Sequence, residues 1–170
     1  LMMQKRGGPQ RGQLFTMDLV AAMLLAFASI ALMISVSNDV NQREVEASRW
    51  VGLEYDAENV LSQLLYANTE PVDWHRHNYS NVTAVNLASG RGVLDSEKLA
   101  SFVLADYNTT KEVIGIGTSE FYLKISSFNG KTAYYTYGLT PSATSNKYTI
   151  ERPALLNATP VKVAIIVWRD

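Results

Sequence analysis

The chain has two histidines, His75 and His77, separated by one residue and preceded by Asp73. On an extended segment alternate side chains face the same way, so both imidazoles and the carboxylate could approach one divalent metal. No second ligand cluster supports such a centre. Two histidines beside a tryptophan (here Trp74) in a loop are more often surface or packing residues, and no metal or cofactor is expected. The chain lacks cysteine, which removes disulfides and thiolate chemistry. No serine sits in a Gly-x-Ser-x-Gly elbow. Gly115-Ile116-Gly117 lacks the third glycine and preceding strand of a dinucleotide site, and Gly90-Arg91-Gly92 is likewise a turn. No catalytic residue emerges, and an enzyme is not expected.

The chemistry that the sequence does offer is chemistry done to the chain. Lys5-Arg6-Gly7-Gly8-Pro9-Gln10-Arg11-Gly12-Gln13 holds three basic residues and no acid, and an uncharged run of 18 residues, Leu19 to Val36, comes shortly after. As a helix, a run of that length covers roughly 27 Å, close to the thickness of a bilayer core. Three kinds of segment fit. A secretory signal peptide removed after its apolar core fits poorly, because such cores are shorter and end at a small-residue cleavage site. A plain signal anchor fits. So does a leader cut before the apolar run, which leaves the apolar helix on the mature protein.

The third reading rests on Arg11-Gly12-Gln13. A basic leader ending in glycine, then glutamine, then an acid and a long apolar helix, resembles the class III signal of archaeal type IV pilin-like proteins. The resemblance covers about residues 5–36. It implies that a prepilin-type peptidase cuts between Gly12 and Gln13. The usual glutamate of the family lies four residues after the first mature residue; this chain has Met17 there and Asp18 next to it. In the family the acid pairs with the α-amino group of a neighbouring subunit, which implies a contact between Asp18 and a processed Gln13. The residues alone also permit Asp18, with Thr16, to favour a helix start.

Lys5, Arg6 and Arg11 belong on the cytoplasmic side by the positive-inside rule, and 38–170 on the outer side. The small residues Ala21, Ala22, Ala26, Ala28, Ser29 and Ala31 allow close helix–helix approach. From Val36 to Ala67 there is no proline and one glycine, Gly52. Val40, Ala47, Val51, Val60, Leu61, Leu64 and Leu65 recur at mostly helical spacing. The pattern predicts one long helix, apolar all round and then amphipathic, with its second half packed on a globular head. That lollipop outline also resembles type IV pilins.

Pro71 ends the helical region. Asp95 is a candidate N-cap for a short helix reaching about Tyr107. Proline, Trp74 and a helix containing Lys98-Leu99 also resemble extracytoplasmic domains of archaeal pilin-like proteins. Beyond Gly117, alternation in 121–126 and 133–137 predicts two strands joined by a type I′ turn at Asn129-Gly130. Strands at 148–151 and 161–168 would complete an antiparallel sheet of about four, the last buried on both faces. Four N-glycosylation sequons, at Asn78, Asn81, Asn108 and Asn157, all lie beyond the apolar run, and proline after Thr159 makes Asn157 the poorest.

The net charge of −1, without a basic stretch interleaved with aromatics, argues against nucleic acid as a partner. The expected fold class is α+β: a long N-terminal helix, then a small head with a short helix and an antiparallel sheet, type IV pilin-like. The expected organisation is a leader at 1–12, a transmembrane or filament-core helix at 13–37, and an extracytoplasmic head at 38–170. The resemblance implies a structural subunit, major or minor, of a surface filament. Its partners would be membrane lipid, a prepilin-type peptidase and other pilin-like subunits. The alternative is a single-pass, membrane-anchored binding or sensor domain that never polymerises.

Overall fold

A computed structural model describes residues 10–66, 71, 73–77 and 82–169, with side chains from Met17 onward. One helix, α1 (Gln10–Tyr66), runs for 57 residues. The chain divides into two compact units, Leu1–Ser48 and Arg49–Asp170. In the first, α1 is the only element among the described residues, and every described side chain from 17 to 48 is exposed.

The second unit holds the last part of α1 and everything after it. Three-residue β1 (Ala88–Gly90) and two-residue β2 (Val93–Leu94) come first, then α2 (Ser96–Val103) and α3 (Tyr107–Ile114). Four longer strands complete the unit: β3 (Glu120–Ser127), β4 (Ala133–Gly138), β5 (Asn146–Leu156) and β6 (Thr159–Arg169). They form one six-stranded sheet with β1 and β2, in the order β1-β2-β5-β6-β3-β4. The fold is thus α+β with a long first helix. The expectation of about four antiparallel strands is corrected: among the described residues there are six, and β2 pairs with β5 in parallel. Strands as short as β1 and β2 cannot display a two-residue period, so pattern alone does not reveal them.

β6 lies between β5 and β3, as its nearly all-apolar sequence predicts. Val161, Val163, Ile165 and Val167 join the core, while the alternate residues Ala164 and Trp168 are buried on the opposite face. The core closes against Leu53, Ala57, Val60, Leu61 and Leu64 of α1 and against Leu99 and Phe102 of α2. The predicted stripe on α1 holds only for its last four members. Val40, Ala47 and Val51 are exposed. Val51 points about 200° around the helix from Leu53, where the buried stripe begins.

Polar ties fix the register of this helical segment on the sheet. Arg169 donates to Asp56 Oδ2 at 2.8 Å and to Ser119 Oγ at 2.7 Å, and Arg152 pairs with Glu58 at 3.1 Å. Asp95 caps α2 by accepting from the Glu97 and Lys98 amides. The helix expected to reach about Tyr107 ends at Val103, and a second helix that the sequence pattern did not show, α3, starts at Tyr107, capped by Asp106, which accepts from the Thr109 amide at 2.9 Å. Gly138 ends β4 at φ +99, and a side chain there would collide with the Phe121 carbonyl.

The hairpins reverse one expectation. Asn129-Gly130 is not a two-residue turn. Ser127 N–H bonds to Thr132 O at 2.8 Å, leaving a four-residue loop in which Asn129 Oδ1 accepts from Ser127 Oγ and the Lys131 amide. Those side-chain bonds hold the loop in place of a type I′ turn. The two-residue turn with positive φ at both central positions is Asn157-Ala158, at φ 50 and 63, between β5 and β6. Asparagine tolerates that region, whereas alanine is strained there. Ala158→Gly is therefore expected to stabilise the protein by about 1 kcal/mol, read as a raised unfolding midpoint in urea; a lower midpoint would show that the turn carries no strain.

Candidate functional site: an exposed apolar helix and a buried lysine node

Twelve large apolar side chains between Met17 and Val36 are exposed, including Met17 at 77%, Phe27 at 69% and Met33 at 77%. At about 100° per residue their positions are spread over every side of the helix. The segment carries no acid or base after Asp18. Ser29, its one hydroxyl before Ser35, donates to the Leu25 carbonyl at 2.8 Å, so that polar group is satisfied inside the helix. By length and composition α1 is able to cross a membrane.

Gly12 and Gln13 lie within the helical span of α1, and their side chains are outside the described residues. Asp18 is exposed and stands eight residues after Gln10, where α1 begins. An N-cap belongs at the boundary of a helix, where free N–H groups need acceptors, so the capping reading of Asp18 does not hold for this helix. What remains is a carboxylate at the border of an apolar run. Such a group costs roughly 2.5–3.5 kcal/mol at a bilayer centre and less near an interface.

The head contains a polar node that sequence reasoning named only in part. Trp74 is fully buried, and its Nε1–H donates to the Asn86 carbonyl at 3.0 Å. Lys98, only 7% exposed, donates from Nζ to Asn86 Oδ1 at 2.7 Å and to the Ala88 carbonyl at 3.0 Å. The residues quoted for the second part of the resemblance, Trp74 and Lys98, thus meet at Asn86. Asn86 itself gave no signal in the sequence. Lys98 did give one: it lies four residues before Phe102 and next to Leu99, on the apolar side of α2.

The histidine pair does not converge. His77 Nε2 lies 3.1 Å from Asp73 Oδ1, whereas His75 Nε2 lies 3.8 Å from Glu97 Oε2. The Asp73 carboxyl is held below the usual range, chiefly by a backbone hydrogen bond that outweighs its desolvation. A second polar cluster, missed in the sequence, joins Tyr107 OH to Glu120 Oε2 at 2.7 Å and Lys111 Nζ to Glu120 Oε1 at 2.6 Å. Burial holds the Tyr107 phenol far above its usual range, so it stays a donor.

Asn78 and Asn81 lie outside the described residues. Asn108 is exposed in the first turn of α3, but the hydroxyl residue of its sequon, Thr110, is fully buried. Thr110 donates to the Asp106 carbonyl at 2.8 Å and accepts from Tyr137 OH at 2.8 Å. Asn157 and Thr159 are both exposed at a hairpin tip. The folded head therefore presents Asn157 complete and Asn108 incomplete, the reverse of their order by sequence.

Asn86→Ala removes one acceptor of a buried ammonium and leaves the Trp74 bond to backbone intact. It is expected to destabilise the protein by about 1.5–3 kcal/mol in urea unfolding; a loss under about 0.5 kcal/mol would show that Lys98 readily finds water.

Comparison with family models, with curated proteins and with solved structures finds no match.

Proposed function

We propose that the chain is a structural subunit of an archaeal type IV pilus-like surface filament, anchored in the membrane by α1 before assembly. One observation carries this reading: α1 bears exposed apolar side chains on all sides through 17–36, directly after a basic segment ending in Gly12. Lipid can cover such a surface first and the helices of other subunits later. Residues 5, 6 and 11 stay cytoplasmic, cleavage after Gly12 frees the Gln13 amine, and 38–170 lies outside.

The mechanism is assembly. On leaving lipid, helices gain little from the hydrophobic effect and associate by packing, so the alanines at 21, 22, 26, 28 and 31 matter for close approach. Asp18 supplies the polar part. Its carboxylate, an unneeded cost in a permanent anchor, pairs with the amine of a neighbouring Gln13 in a dry contact. Removing one partner of such a pair strands the other charge.

Asp18→Asn tests this. Membrane insertion should be intact or improved, since a charge leaves the apolar segment. The ratio of sheared extracellular protein to membrane-retained protein should fall by about tenfold or more, given a loss of several kcal/mol per stranded buried charge. An unchanged ratio would remove Asp18 from assembly. No sheared protein even from wild type would favour the membrane-anchored domain that never polymerises.

A further inference from the structure

A cavity of about 570 Å³ opens in the second unit beside the Lys98 node, and its lining includes Tyr66, Asn86, Ala88, Ser89 and Arg91. That volume is within the range of small-molecule sites. Both acceptors of the Lys98 ammonium, Asn86 and Ala88, belong to residues of this wall. Both are neutral. No carboxylate among the described residues pairs with Lys98, and none pairs with Arg91. Lys98 is 7% exposed, and among the described residues its ammonium meets neutral oxygens alone, so no formal charge there offsets it. Arg91, exposed at the two-residue turn joining β1 and β2, puts a cation on this wall, with the Lys98 ammonium behind it on Asn86 and Ala88, and the described lining contains no acid.

These charges call for an anion, and the remaining lining narrows its class. Tyr66 is 54% exposed and offers an aromatic face, and Ser89 offers a hydroxyl. An aromatic face suits the C–H side of a pyranose, and the Arg91 fork suits a carboxylate. We propose that this cavity binds a carboxylated sugar of the hexuronate class, with the carboxylate held by Arg91 and drawn toward Lys98 and the ring laid on Tyr66. The site belongs to the head alone and does not rest on filament assembly.

The test uses the full chain in micelles of an uncharged, sugar-free detergent, with 13C-labelled lysine. Methyl glucuronide should shift the Lys98 Cε resonance saturably, with a Kd of about 1 mM, while methyl glucoside binds about tenfold more weakly or less. Arg91→Glu, at an exposed turn, should keep the wild-type circular dichroism and lose glucuronide binding by about tenfold or more. Four results would each overturn the proposal. They are no saturable shift up to about 50 mM, equal binding of the two sugars, unaltered binding in Arg91→Glu, or an acidic tetrapeptide that binds at least as tightly with the same Arg91 dependence.

Discussion

Exposed apolar surface on α1 is the constraint on which everything else depends. Twelve large apolar side chains between Met17 and Val36 are exposed. Covering a side chain of this kind gains roughly 1.5–3 kcal/mol, so the segment as a whole represents on the order of 20 kcal/mol. That exceeds the net stability of an ordinary domain. A carboxylate such as Asp18 subtracts a few kcal/mol at most from insertion. By length and composition the segment is able to cross a membrane, and lipid or other apolar helices are the surroundings that would cover it.

The second unit solves a different problem, that of an ordinary core. Leu53, Ala57, Val60, Leu61 and Leu64 put one face of a helix on a sheet whose central strand is buried on both sides. Burial carries the stability here. The ion pairs that border it, Arg152–Glu58 and Arg169–Asp56, have side chains 43% exposed on the arginine side, and pairs of that kind contribute about 0–1 kcal/mol each. Their value lies in register: they fix where along the sheet the helix sits. The Trp74–Asn86–Lys98 node is a stricter device, since a buried ammonium tolerates few alternative arrangements of its acceptors.

Where one local signal decided the outcome, the sequence was legible. The long helix came from the absence of proline and the dense apolar run, the α2 start from Asp95, and the central position of β6 from its unbroken apolar pattern. Where two solutions shared a signal, it was not. Val40, Ala47 and Val51 repeat at helical spacing as the core residues do, and spacing does not say which stripe meets the sheet. Asn129-Gly130 has the composition of a type I′ turn, yet side-chain hydrogen bonds hold a longer loop, and the strained turn fell on Asn157-Ala158. β1 and β2 pair with each other across a two-residue turn, and what places them in the sheet is the pairing of β2 with distant Leu155 and Leu156, which no local pattern records. Asp106 has the spacing of a late helical residue, and only its bond to the Thr109 amide makes it a cap. Of the candidate sites, Trp74 and Lys98 were visible as residues, but their meeting at Asn86 is a product of the fold.

The central claim is that α1 is delivered to the membrane on a leader and then matures into a filament subunit. The most direct measurement is the intact mass and N-terminal peptide of the protein recovered from membranes and from sheared surface filaments. The account predicts Gln13 as the first residue in both fractions. A mature chain that retains residues before Gly12, or that begins after Val36, would contradict it.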